Sequence, residues 1–287
     1  MSASYAERHY RSHDGLELYY RDYAAPVGRS ELPVLCLPGL TRNSRDFATL
    51  AERLQSRGRR VLAADLRGRG RSQHDPNWHN YHPGSYLADI QALLEHAGAA
   101  RAVFIGTSLG GLLSMLTALV HPATIAGAVI NDIGPVVESE GLERIRGYVG
   151  RGRPLTSWDD AVLAARAINA HALPDLADEE WLAFARRLFR EQDGQLVADY
   201  DPMIGEAARF APVAPVDLWP AFRALAPLPA LALRGAHSDI LSDATLQRMQ
   251  REKPDLRAVT IANRGHAPLL DETDALAALD AFFETLP

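Results

Sequence analysis

Short apolar runs alternate with longer stretches whose apolar residues recur every three or four positions. Pro33–Leu37, Arg60–Ala64, Ala102–Ile105, Ile125–Ile130, Ala230–Arg234 and Ala258–Ile261 are each dominated by apolar residues. A strand covered on both faces reads this way, because neither side meets water. Between them, Phe47–Arg57 places Phe47, Leu50, Ala51 and Leu54 on one helical face, and Tyr86–Ala97 does the same with Leu87, Ile90, Leu93 and Leu94. Ala244–Gln250 and Asp274–Leu286 repeat the helical pattern near the end of the chain. Glu17–Tyr23 reads as an antiparallel strand ahead of this series. Alternating strands and helices predict an α/β fold, a mostly parallel sheet with helices on both faces.

The rhythm breaks between about Pro135 and Pro220. Gly141–Val149, Trp158–Asn169 and Glu179–Arg190 read as helices, with no convincing strand among them. Three of the four tryptophans, Trp158, Trp181 and Trp219, fall in this stretch. The expectation is a core formed by residues 1–134 and 221–287, with a helical cap inserted over 135–220. Trp158, Trp181, Phe184, Phe189, Tyr200 and Met203 are the cap residues able to line an apolar pocket.

Candidate chemistry concentrates at Gly106-Thr107-Ser108-Leu109-Gly110, a G-x-S-x-G pentapeptide. It follows the apolar run Ala102–Ile105 and precedes a long small-and-apolar stretch to Val120. Strand, sharp turn and helix in that order lift a serine hydroxyl above the sheet edge. The glycines let two chain segments approach closely, and the helix aims its N-terminal N–H groups at any negative charge formed there.

A serine hydroxyl needs a base, and the base needs an orienting carboxylate. His266, in Asn263-Arg264-Gly265-His266-Ala267-Pro268, lies just past the last apolar strand, where a loop can swing an imidazole over the serine. Asp239, in the loop after Ala230–Arg234, is the expected acid. Asp132, which ends an earlier core strand, and Asp243, placed to cap a helix, are the alternatives. Two backbone N–H groups must face the developing oxyanion. Leu109 follows the serine, and Leu40 follows Gly39 in the loop after Pro33–Leu37, so these two are the expected donors. Arg42, two residues on, is a candidate partner for an anionic substrate group.

Composition narrows the alternatives. With 30 Lys and Arg against 36 Asp and Glu, the net charge is −6, which argues against a nucleic-acid surface. Cys36 is the single cysteine, so no internal disulfide forms. The first twenty residues are too polar for a signal peptide, and no apolar run approaches a membrane span. The cytoplasm is the simplest expected compartment. His74, Asp75, His79 and His82 cluster loosely, but no metal-ligand spacing stands out. Neither a metal nor a cofactor is expected.

Four blocks in order carry a family resemblance: Leu37-Pro38-Gly39-Leu40, Asp65-Leu66-Arg67-Gly68-Arg69-Gly70-Arg71-Ser72, Gly106–Gly110, and Gly265-His266-Ala267-Pro268. The chain resembles the α/β-hydrolase superfamily across nearly its whole length. The resemblance implies Ser108, Asp239 and His266 as triad and Leu40 and Leu109 as oxyanion donors. The second block looks like the family's D-x-R-G-x-G-x-S loop, which buttresses the active-site edge. Many relatives have His-Gly where this chain has Pro38-Gly39, which bears on the geometry of Leu40. A serine nucleophile is unlike the aspartate of haloalkane dehalogenases and epoxide hydrolases. The implied activity is hydrolysis of a small or medium carboxylic ester or lactone through an acyl-enzyme. Carbon–carbon bond hydrolysis of an aromatic-degradation product, a perhydrolase-type reaction and a receptor role are the alternatives. The expected partner is a small ester-like molecule, with no nucleic acid and no membrane span.

Overall fold

The apolar runs become the strands of one sheet. The structure, a computed structural model, describes residues 4–26, 31–210 and 217–286. In chain order the first elements are β1 (Ala6–Arg11), β2 (Glu17–Tyr23), β3 (Val34–Leu37), α1 (Ala48–Ser56), β4 (Val61–Asp65), α2 (Pro83–His96), β5 (Ala102–Thr107), α3 (Leu109–Val120) and β6 (Ile125–Asn131). An inserted segment follows, with α4 (Ser139–Tyr148), α5 (Trp158–Asn169), α6 (Asp178–Leu188), β7 (Phe189–Gln192), β8 (Gln195–Ala198), α7 (Ile204–Phe210) and α8 (Trp219–Arg223). The chain returns to the sheet through β9 (Ala230–Gly235), α9 (Asp243–Glu252), β10 (Arg257–Ile261) and α10 (Thr273–Phe283).

Eight strands pair in the order β1-β2-β4-β3-β5-β6-β9-β10. Only β1–β2 and β2–β4 run antiparallel; β3, β4, β5, β6, β9 and β10 are parallel. Every residue of β3, β4 and β6 is buried, as strands covered on both faces require. Leu50 and Leu54 of α1 pack with Phe282 of α10 on one face. Ile90 of α2, Leu113 of α3 and Met249 of α9 pack on the other. The register sets Leu37 beside Gly106, Thr107 beside Asn131, and Asn131 beside Leu233. The carboxyl ends of β3, β5, β6 and β9 therefore lie level, and the loops that follow them meet at one edge.

The inserted segment departs from the all-helical expectation. β7 and β8 form a hairpin that joins at Asp193-Gly194, with φ of 52° and 75°. Two left-handed residues match the twist of a tight hairpin, and Asp-Gly is its strongest local signal. The helix expected to reach Arg190 accordingly ends at Leu188. The expected 135–220 interval includes residues 211–216, which lie outside the described residues. β1 was also unanticipated, because an edge strand exposed at five of its six positions has no apolar run to betray it. The segment has its own apolar cluster around Ala161, Ala165, Trp181 and Phe184. It docks on the core through backbone: Gly70 N–H donates to Asp199 O at 2.9 Å and Asp201 N–H to Gly68 O at 2.7 Å. No helix among the described residues is long and apolar enough to cross a membrane.

Candidate active site

β5 and α3 are separated by a single residue, Ser108, held at φ 52° and ψ −114°. That conformation is costly for a residue with a Cβ and aims the side chain away from both flanking elements. Glycine is required on either side. A Cβ on Gly106 would run into the backbone of Gly110, and one on Gly110 into the carbonyl of Leu37 in β3. Strand, turn and helix pack at backbone contact, and the serine is the residue left projecting.

His266 Nε2 lies 2.8 Å from Ser108 Oγ, and its Nδ1 lies 2.8 Å from Asp132 Oδ2. The chain thus brings Ser108 and His266 together as the sequence suggested. It does not bring Asp239 to the imidazole, and the expected His266–Asp239 pairing is corrected to His266–Asp132. The physical reason lies in the turn after β9. Gly235 N–H donates to Asp132 Oδ1 at 2.7 Å and Ser238 Oγ donates to Asp132 Oδ2 at 2.7 Å. The turn presents donors to Asp132 and carries Asp239 outward to α4. There Arg144 Nε and Nη2 grip its two oxygens at 2.6 and 3.0 Å. Burial alone would raise the Asp239 carboxyl, but Arg144's hydrogen bonds and charge outweigh it and hold it below its ordinary value. Asp243 lies in the first turn of α9, behind the N-cap Ser242, and bonds Gln247.

Asn131, fully buried, fastens the neighbouring loops. Its side-chain amide donates to Thr107 Oγ1 at 3.0 Å and to Pro268 O at 2.9 Å, and its backbone carbonyl accepts Ser108 N–H at 2.9 Å. One residue of β6 thereby links the serine turn to the histidine loop. Asp132 follows it at φ 58°, a region that aspartate tolerates better than most residues.

Leu40 and Leu109, the expected oxyanion donors, flank the serine. Gly39 approaches so closely that a Cβ on it would sit 3.7 Å from Ser108 Cβ. Among the described residues neither the Leu40 nor the Leu109 N–H is spent on a backbone acceptor. Arg69 supports the loop that carries Leu40. Its Nε donates to Leu40 O at 2.9 Å, while Nη1 holds Arg67 O and Tyr86 Oη at 2.7 and 2.8 Å. Arg69 belongs to the Asp65–Ser72 block, whose other members brace the same edge. Asp65 accepts Ser44 N–H at 2.6 Å and Arg71 N–H at 2.9 Å. Arg67, fully buried, binds Asp14, Asp75 and Asp89.

Residues 33–273 match the α/β-hydrolase-fold family. The chain belongs to that family. This α/β hydrolase is 27% identical to a 3-hydroxybutyrate-oligomer hydrolase of Cupriavidus necator, over 92% of each chain. It is 30% identical to a 2-(acetamidomethylene)succinate hydrolase of Mesorhizobium japonicum, over 81% of each. An α/β hydrolase of Novosphingobium aromaticivorans superimposes with a TM-score of 0.92 at 46% identity, covering 99% of both chains. The fold and the relatives together make this chain an enzyme of the hydrolase class.

In this α/β hydrolase, Ser108 and His266 open into a cavity of about 970 Å³ between the sheet edge and the inserted segment. Phe184, Phe189 and Tyr200 line it, together with Tyr148, Leu163 and Ile168. Trp158, Trp181 and Met203, also expected there, do not; Trp181 packs edge-on against Phe184 behind the wall. Arg42 lines the cavity, but its guanidinium is committed to Asp46 at 2.7 and 2.5 Å and lies over the Phe184 ring. It is therefore a wall residue neutralised by its own partner. The loose cluster of His74, Asp75, His79 and His82 is likewise committed, since Asp75 binds Arg67 and His82 caps α2. Among the described residues, only His13, Asp14 and Asp89 bring three ligand atoms within 4.8 Å of one another, and Arg67 already holds both carboxylates.

Arg69, Arg144 and Asn131 had no role in the sequence reading. Arg69 stands inside the recognised Asp65–Ser72 block, and Asn131 directly precedes Asp132, one of the alternative acids. Arg144 comes from the inserted segment, and nothing local signals where its side chain lands.

Proposed function

We propose that this α/β hydrolase cleaves a small or medium carboxylic ester or lactone through an acyl-enzyme, with Ser108, His266 and Asp132 as the triad. The supporting observation is the continuous line of hydrogen bonds from Ser108 Oγ through His266 to Asp132. His266 Nε2 takes the serine proton as Oγ attacks the carbonyl carbon. The carbonyl electrons move to its oxygen, and the Leu40 and Leu109 N–H groups receive that charge. Asp132 holds the imidazole by Nδ1–H and stabilises its charged form. The tetrahedral adduct collapses, the alkoxide leaves with the proton from His266, and Ser108 remains acylated. Water then gives its proton to His266, attacks the acyl carbon, and releases the acid and the serine. The inserted segment acts as the cap that roofs the cavity and selects the substrate.

Two of the relatives are named for hydrolysis of acid-bearing substrates, one an oligomer of a hydroxy acid. An ester of a short hydroxy acid is thus a natural member of the proposed class. The test is hydrolysis of p-nitrophenyl acetate and butyrate and of the 3-hydroxybutyrate dimer by wild type and Ser108→Ala. Turnover that vanishes in a folded Ser108→Ala protein is the expected result. Activity near wild type in that variant would refute the mechanism.

A further inference from the structure

Two aspartates lie beside the catalytic histidine loop, one after β6 and one after β9. Asp132 Oδ2 contacts both His266 Nδ1 and Ser238 Oγ, and Asp239 is the next residue after Ser238. The second carboxylate is thus one residue from the contact that holds the imidazole. It does not stand alone. Arg144 reaches down from α4 and engages both of its oxygens, closing a fork-to-fork pair. The approach is built into the backbone as well. Gly141, one turn before Arg144, donates its N–H to Asp239 O at 3.2 Å, and a Cβ there would strike that carbonyl. Glu138 N–H donates to Ile240 O at 3.1 Å. Three residues of one approach, Glu138, Gly141 and Arg144, thus seat the start of the inserted segment on the β9 turn.

We propose that Arg144 is a positioning residue that masks the charge of Asp239 beside His266, so that Asp132 alone acts as the carboxylate of the base. The other groups around the histidine are accounted for. His171 of the inserted segment is held towards its neutral form, first by burial and then by the charge of Arg144. Arg264, two residues before His266, is balanced by Asp175 and Glu272. Asp271 faces Arg187. Loss of either partner of the Asp239–Arg144 pair leaves a net charge near the base. It also couples catalysis to the seating of the inserted segment, because the mask is present only while α4 is docked.

This rests on His266 acting as base to Ser108. The experiment compares the pH profile of kcat/KM for p-nitrophenyl butyrate in wild type, Arg144→Gln, Asp239→Asn, the double variant and Arg144→Lys. The acidic limb reports protonation of the base in the free enzyme. Arg144→Gln leaves a bare carboxylate that favours the protonated imidazole, so the limb moves to higher pH. Asp239→Asn leaves a bare guanidinium, so it moves to lower pH. Each displacement is on the order of half a pH unit for a partly screened charge. The double variant returns to the wild-type limb, and Arg144→Lys, which keeps the charge, stays near it. A role confined to docking α4 predicts something else: both single variants lose stability and raise KM, and neither limb moves. Limbs that stay put, or that move in the same direction in both single variants, overturn the mask. If Arg144→Gln fails to fold, Asp239→Asn against wild type and Arg144→Lys carries the same test. Turnover surviving in Ser108→Ala would instead refute the reading beneath it.

Discussion

Replacing Asp132 with Asn probes the choice between Asp239, the acid expected from the sequence, and Asp132, the one that meets the imidazole. The Asp132 carboxylate accepts three hydrogen bonds, from Gly235 N–H, Ser238 Oγ and His266 Nδ1, at 2.7, 2.7 and 2.8 Å. Asn has one acceptor oxygen. The Gly235 N–H is a fixed backbone donor, so the oxygen stays with it and the amide NH₂ faces His266. An NH₂ opposite Nδ1 can pair only with the tautomer that carries its proton on Nε2. That tautomer donates to Ser108 and cannot take its proton. Loss of this function in serine hydrolases costs roughly ten-thousandfold in kcat. The side chain is fully buried, and the poorer pairing costs about 1–3 kcal/mol of stability. Asp239→Asn removes a partly exposed ion pair and leaves kcat at the pH optimum within roughly threefold of wild type. The assay is steady-state p-nitrophenyl ester hydrolysis with thermal unfolding on the same samples. A larger kcat loss in Asp239→Asn than in Asp132→Asn, with both proteins folded, would refute the assignment.

Two further outcomes follow from the same geometry. Arg69→Met removes the donor that holds Leu40 O, and kcat should fall roughly tenfold to a hundredfold with KM little changed, because an oxyanion donor acts mainly in the transition state. A loss of stability without that selective loss of kcat would show that Arg69 only fills the core. For Asp14, burial opposes ionisation, but the Arg67 and Ser12 hydrogen bonds prevail and lower its carboxyl to about 2. Because the folded value lies below the unfolded one, its stabilisation is full above the ordinary carboxylate value of about 3.9 and fades as pH falls towards 2. The gap in Tm between wild type and Asp14→Asn should therefore be constant above about pH 5 and close in acid; a gap that widens in acid would contradict this.

The fold was legible because its signals are local. Six apolar runs became the six parallel strands, and Trp158–Asn169 is a helix with the anticipated limits. Ser108 and His266 were legible for a similar reason, since a G-x-S-x-G turn and a loop past the last strand restrict where each side chain can go. The β7–β8 hairpin carried a readable cue in Asp193-Gly194, but short strands of four half-exposed residues give little periodicity beside it. The acid was not legible. Asp132 and Asp239 both come shortly after core strands, both follow the serine, and both precede the histidine.

What the chain determines by itself is therefore the order of strands and helices, the strained serine turn and the position of the histidine loop. Each follows from propensity, periodicity and backbone sterics within a few residues. Which carboxylate meets the imidazole, what holds Leu40, and which aromatics face the cavity were decided only by the tertiary structure. These depend on charge and hydrogen-bond partners brought from far along the chain. Arg144 claims Asp239 from 95 residues away, and Asp132 meets His266 across 134. No local pattern encodes those meetings, because they exist only once the sheet has set its strand ends level and the inserted segment has docked above them.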